Sequence, residues 1–260
     1  MEGHMKLLVC IKQVPDMESK FKIDSDGIWY DQSDLAWRMN EYDEYGVEQA
    51  VQLKEQTGAD LTVLCIGSGQ VKETIKKALA MGCDRGVHIA DDMSCLRDPF
   101  EIASMITEYA SDKEFDMVFT GMQSQDRGSG QVGVMVAELL AIPAVTTIVD
   151  FAFDNGIVKV KRELEGGVRA EVEASLPLLV TCQLGLNTPR YPTLPNIMKA
   201  KKKELLNIDA KELYKPSGLQ KTVKISFPEK SSSGLVLEGE VADIADRLIA
   251  ALKEKTSVLA

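Results

Sequence analysis

The chain has 260 residues, 45% hydrophobic and 27% charged. That excludes a disordered or fibrous chain and allows one sizeable domain with a tail. A net charge of −10 leaves no surplus of cations for a phosphate backbone, so no nucleic acid is expected as partner. No apolar run approaches the ~18 residues that span a bilayer, so the expectation is a cytoplasmic protein without membrane insertion.

In chain order, residues 1–5 (MEGHM) read as a cloning remnant before a native start at Met5. Lys6–Lys12 (KLLVCIK) is a buried first strand, followed by KQVPD at 12–16, a proline-containing turn. Tyr42–Gln56 is a helix with Val47, Ala50, Val51 and Leu53 on one face and Gly58 as its stop. Leu61–Ile66 is a second strand, Lys72–Met81 a helix closed by Gly82, and Gly86–Ala90 a short third strand. Pro99–Ser111 is a helix with proline in its first turn. A strand at Met117–Thr120, a helix at Gly130–Leu140 and a strand at Ala144–Val149 continue the rhythm. Such alternation predicts an α/β fold, with a mostly parallel sheet and helices on both faces.

The rhythm then changes. Ile157–Arg162 and Arg169–Ala174 flank a hairpin turn at Gly166-Gly167, and Leu178–Cys182 returns as an apolar strand. Beyond residue 184 come three prolines and a basic, helix-like segment ending in KAKKK at 199–203. The plain reading of that run is a solvated basic face. The apolar Leu194, Pro195, Ile197 and Met198 before it point instead to protein docking. Residues 204–236 are polar and poorly periodic, and SSSG at 231–234 reads as a flexible joint. Val241–Lys253 is a last amphipathic helix with Val241, Ile244, Leu248 and Leu252 on one face, an arm best explained by a partner.

The chemistry-bearing residues are few. The histidines are His4 and His88, and the five scattered cysteines form no CxxC pair. Acyl transfer and zinc chemistry are therefore disfavoured, no metal is expected, and the cysteines read as reduced core thiols. The stretch 120–140, TGMQSQDRGSGQVGVMVAELL, runs from a strand end through a glycine-rich loop into a helix. Gly128, Gly130 and Gly133 spell GxGxxG, with Asp150 at the end of the next strand. In a dinucleotide fold, however, the first glycine directly follows the strand, and here Gly121–Arg127 intervene. What remains is a loop whose free N–H groups, at the positive end of a helix dipole, suit a phosphate, or else a plain helix cap. MNEYD at 39–43 offers Asn40 as N-cap and acids in the first turn. It serves either as a cap or as the facing rim of a ligand crevice at the strand ends.

Six stretches together carry a resemblance over nearly the whole chain: KLLVCIKQVPD, MNEYDEYGVEQAVQLKE, KETIKKALAMGCDRGVHI, GMQSQDRGSGQVG, KRELEGG and NTPRYPTLPNIMKAKKK. With them the chain resembles the beta subunit of electron transfer flavoproteins. The resemblance implies an adenine nucleotide alpha hydrolase-like (Rossmann-like) domain over 6–183, without hydrolase activity. It further implies a partner recognition loop over 184–204 and an extended C-terminal arm over 205–260 whose helix packs on a larger alpha subunit. That alpha subunit would hold most of one FAD, with Val14–Asp16 lining the flavin cleft, while this chain buries a structural AMP. Carried over by position, the AMP site takes Cys10, Asn40, Glu41, Tyr42, Asp43 and Ile66. It also takes Gly121, Gln123, Ser124, Asp126, Arg127, Gly128, Ser129, Gly130, Gln131, Val132 and Gly133. The implied partner surface is Tyr191, Leu194, Pro195, Ile197, Met198 and Lys199, with Leu194 as anchor for acyl-CoA dehydrogenase-type flavoenzymes. Electrons would pass on to a quinone-linked oxidoreductase, making the chain an electron carrier rather than an enzyme. Val132 stands where many AMP-binding relatives have threonine, and Gln-Val-Gly also occurs in electron-bifurcating relatives. In those, a second FAD replaces AMP and NADH is oxidised. A stress-type nucleotide-binding regulator is a further reading, against which the long arm argues.

Overall fold

The computed structural model describes residues 4–213, 216–228 and 234–257. Most of the joint expected at 231–234 and most of the expected N-terminal remnant lie outside the described residues. The chain forms two units, 1–225 and 226–260.

The first unit opens with β1 (Lys6–Ile11), then β2 (Gln13–Pro15) and β3 (Trp37–Met39), which pair with each other antiparallel. Next come α1 (Glu41–Thr57), β4 (Asp60–Gly67), α2 (Val71–Met81), β5 (Arg85–Ala90), α3 (Pro99–Ala110) and β6 (Met117–Gly121). Then follow α4 (Val132–Leu139), β7 (Ala144–Asp154), β8 (Ile157–Glu163), β9 (Arg169–Ser175), β10 (Leu178–Cys182), α5 (Leu194–Ala200) and β11 (Leu205–Asp209). The main sheet has nine strands in the order β11-β5-β4-β1-β6-β10-β7-β8-β9. Pairings are parallel from β11 through β7, and antiparallel from β7 to β8 and from β8 to β9.

Alternation along the strands builds two cores. Leu7, Val9 and Ile11 of β1 face α1 and α2, where Val47, Ala50, Val51, Leu53, Ile75 and Leu79 are buried with them. Leu8 and Cys10 face the other way, toward Ala103, Met105 and Ile106 of α3 and Val136 of α4. Each valine, leucine, isoleucine or methionine so buried contributes roughly 1.5–3 kcal/mol, and a strand covered on both faces reads as a continuous apolar run. Helix ends obey local chemistry. Gly58 closes α1 in the left-handed region, φ 75°, its N–H donating to Lys54 O at 2.8 Å. Asp98 and Glu101 form a reciprocal capping box at the head of α3, with Pro99 in the first turn.

Three departures from the sequence reading have physical causes. α4 begins at Val132 rather than Gly130, because Gly130 holds φ 62° and cannot continue a right-handed helix. β7 runs on to Asp154 and turns into β8 at Asn155-Gly156, both at positive φ, the signature of a two-residue hairpin turn. Leu205–Asp209 falls in the stretch read as irregular, yet it adds β11 to the edge of the sheet by parallel pairing with β5. Two of its five residues, Asn207 and Asp209, are poor strand formers, so pairing rather than propensity makes the strand. His88 on β5 packs beneath it, Nδ1 lying 3.1 Å from Asn207 Oδ1.

The second unit contains α6 (Val241–Lys255). Of its expected stripe, Val241 and Leu248 are exposed and Ile244 and Leu252 half-buried. No helix among the described residues is long and apolar enough to cross a membrane.

Candidate functional site

β1 and β6 are neighbours, but the chain leaves β1 toward β4 on one side and leaves β6 toward β10 and β7 on the other. Where the direction of winding reverses, loops diverge and a crevice opens beyond the carboxyl ends of the strands. A cavity of about 200 Å³ lies there. Cys10, Leu64, Ile66 and Ile106 give it an apolar floor.

The first turn of α1 holds the loop after β6. Asn40 occupies the N-cap position, but its side chain caps nothing. Its Nδ2 donates to Gln123 O at 2.9 Å, and its Oδ1 accepts from Gln125 N–H at 3.0 Å. Gln123 Nε2 donates to Tyr42 Oη at 3.2 Å, and Gln125 Nε2 to Glu41 Oε2 at 2.8 Å. Asp43 joins two strand ends, accepting from Lys12 N–H at 2.6 Å and from Gly121 N–H at 3.1 Å. A Cβ on Gly121 would strike Asp43 Oδ1 and Tyr42 Cβ, so only glycine lets helix and strand approach this closely. Burial pushes the Asp43 carboxyl up to about 7, against the hydrogen bonds that favour its charge. Lys12 Nζ bridges both carboxylate oxygens of Asp126 at 2.6 Å, fixing the loop to β1.

The far half of the loop is different. The N–H groups of Ser129, Gly130, Gln131, Val132 and Gly133 meet no acceptor among the described residues. They stand at the head of α4, where the helix dipole favours an anion. A Cβ on Gly133 would lie 2.5 Å from Thr120 Oγ1 and 3.0 Å from Thr181 Cγ2, so this glycine lets α4 sit down on β6 and β10. Thr120 Oγ1 is buried beneath it, with no hydrogen-bond partner among the described residues. The Cys10 thiol is held far up by burial, which makes it a floor atom rather than a nucleophile.

Of the expected nucleotide residues, all but Glu41, Tyr42 and Gly128 line the cavity. Glu41 and Tyr42 act one step back, gripping the loop. Asp150 lies outside, on β7 beside Lys161 Nζ at 3.7 Å, so the dinucleotide pattern of three glycines and an acid does not converge on one site. The sequence reading missed a whole wall: Trp29, Tyr30 and Trp37 from the segment around β3, and Arg97, Pro99 and Ile102 at the head of α3. A cluster of aromatics in an otherwise polar stretch was the available signal.

A family model described as the electron transfer flavoprotein domain matches residues 28–213. The chain is 40% identical to the electron transfer flavoprotein subunit beta of Bacillus subtilis, covering 98% of this chain and all of that protein. It is 35% identical to the subunit of the same name from Mus musculus, over 97% of this chain and 98% of that one. For the Methylophilus methylotrophus subunit beta the figures are 32%, 96% and 98%. The chain belongs to the electron transfer flavoprotein beta-subunit family.

In this beta subunit the segment after β10 is fixed at both ends. Asn187 Nδ2 donates to Tyr45 O at 3.1 Å, and Arg190 forks onto Glu48 and Glu55 of α1 at 2.6–3.0 Å. The Glu48 side chain is only 4% exposed. Lys203 Nζ donates to the carbonyls of Leu79 and Cys83 at the end of α2, so one lysine of the basic run serves structure. Between these fixings α5 starts at Thr193, whose hydroxyl accepts from Asn196 N–H. It leaves Tyr191, Leu194, Pro195, Ile197, Met198 and Lys199 exposed, Leu194 at 78%.

Proposed function

We propose that this chain is the small subunit of a two-subunit electron carrier whose crevice holds AMP as a structural ligand. One observation carries the reading: five N–H groups at the head of α4, unpaired among the described residues, belong to residues lining a crevice with an apolar floor. That arrangement suits a phosphate attached to a flat apolar base. Hydrolysis is not its task. No histidine lines the crevice, both oxygens of Asp43 accept backbone N–H groups, and Cys10 stays a thiol.

The redox chemistry then belongs to FAD, bound mostly by the alpha subunit, with protein groups orienting it. Val14–Asp16 line the flavin cleft, and the nucleotide-binding body, recognition loop and arm divide at 183 and 204. An acyl-CoA dehydrogenase-type flavoenzyme docks on the exposed face of α5, with Leu194 as its central anchor. Electrons leave toward a quinone-linked oxidoreductase, in the cytoplasm. Val132 favours a second reading, because without a hydroxyl at that position the loop resembles that of bifurcating relatives, in which a second FAD fills the crevice and NADH is oxidised.

Co-purification with the alpha subunit, acid release and chromatography of bound nucleotides tests both. One FAD and one AMP per heterodimer supports the main reading. Two FAD with NADH-driven reduction replaces it with the second, and a heterodimer holding no nucleotide besides one FAD removes both.

A further inference from the structure

The guanidinium of Arg127, in the glycine loop, reaches partners on other walls of the crevice. Nη1 donates to Arg97 O at 3.1 Å and Nη2 to Cys95 O. Its central carbon lies 4.7 Å from the centre of the Trp29 ring. One side chain thus joins three walls of the crevice: the glycine loop, the stretch leading into α3, and the segment between β2 and β3 that carries Trp29. That last segment is tied a second time. Ile225 N–H donates to Gly27 O at 2.9 Å, and the chain leading to Ile225 is fixed at Asp98, which accepts from the N–H groups of Leu219 and Gln220. Asp98 in turn heads α3. The walls therefore form a closed ring, and Arg127 links the nucleotide loop into it.

We propose that Arg127 is a latch, a positioning residue that holds the Trp29 segment closed over an adenylate and sets how fast the adenylate leaves. The inference rests on the nucleotide reading above. A guanidinium is suited to the task because its edge donates to two carbonyls while its face lies on a ring. An ammonium can reach two carbonyls but has no planar face to lay on the ring while it does so. The contacts are made by the protein alone, and a closure shared by the free and bound states slows entry and departure together, so its loss changes exchange more than affinity.

The test uses the full chain in complex with its alpha subunit, loaded with radiolabelled AMP and chased with excess unlabelled AMP. Arg127→Lys should exchange faster than wild type by about tenfold, the change that ~1.4 kcal/mol of barrier carries. Trp29→Leu should behave alike, and Trp29→Phe, which keeps a ring face, should restore most of the slow exchange. The Arg127→Lys/Trp29→Leu double variant should be no faster than either single variant, as expected for one shared contact. Amide hydrogen exchange across residues 22–37 should rise in Arg127→Lys with AMP still bound. Wild-type exchange in Arg127→Lys, or additive effects in the double variant, overturns the latch and leaves the nucleotide reading standing. A wild-type complex that takes up no AMP overturns the nucleotide reading and the latch with it.

Discussion

Asp43→Asn isolates the electrostatics of the crevice. The carboxylate is buried and accepts one backbone N–H on each oxygen. Burial raises its pKa from 3.8 to about 7. The folded state therefore holds the proton more tightly than the unfolded chain does. The resulting stability is fully present below pH 3.8 and is lost as pH rises through about 7. Between pH 5 and pH 8 the site should cost the wild type roughly 2–3 kcal/mol, from integrating the two titrations. Asparagine does not titrate and removes that slope. It also turns an NH₂ toward one of the two N–H donors, an unpaired contact costing about 1–3 kcal/mol at every pH. Urea unfolding of both proteins, followed by far-UV circular dichroism at pH 5 and pH 8, separates the two effects. The variant should be the weaker protein at pH 5 and close most of the gap by pH 8. Parallel pH profiles would refute the assignment of the raised pKa to Asp43.

Gly133→Ala should cost about 1–3 kcal/mol by overpacking α4 against Thr120 and Thr181, and should lower AMP occupancy as the helix head shifts; thermal melts and bound-nucleotide analysis check both. Arg190→Ala leaves Glu48 buried with the Gln52 amide and the backbone N–H of residue 190 beside it but no cation, a loss near the low end of ~3–5 kcal/mol because those donors remain and the arginine itself is partly exposed. Urea midpoints measure that loss, and steady-state KM for the dehydrogenase should rise with it. Leu194→Ala should leave stability within about 0.5 kcal/mol, since the side chain is exposed. Its partner-driven reduction should weaken by at least ~2 kcal/mol in kcat/KM, with bound flavin unchanged.

Much of the fold was legible because burial on both faces of a parallel sheet writes long apolar runs, and KLLVCIK is such a run. Helix stops at Gly58 and Gly82 and the proline in the first turn of α3 were local signals that the structure uses as read, whereas the capping pair Asp98 and Glu101 was passed over. β11 was illegible because pairing with β5, remote in sequence, decides it. The turn at Asn155-Gly156 carried a strong signal that the reading passed over. At the site, residue type gave the location of Asn40 and Asp43 but not their work. An N-cap residue and a first-turn acid are common, and their reach to Gln123, Gln125, Lys12 and Gly121 depends on where β6 ends. The Trp29 wall was missed because its segment has no periodicity that assigns it to an element.

The late arrival of β11 has a mechanical consequence. β10 and β11 are separated in the sheet by β6, β1, β4 and β5. The intervening chain crosses roughly 24 Å, five spacings of ~4.8 Å, and is anchored into the sheet at either side. α5 is thus carried on a bridge rather than a dangling tail. A protein that lands on it meets a surface whose shape is already set, and so loses little freedom on contact. Encounters on such a span can be brief and still selective, as the proposed carrier role requires.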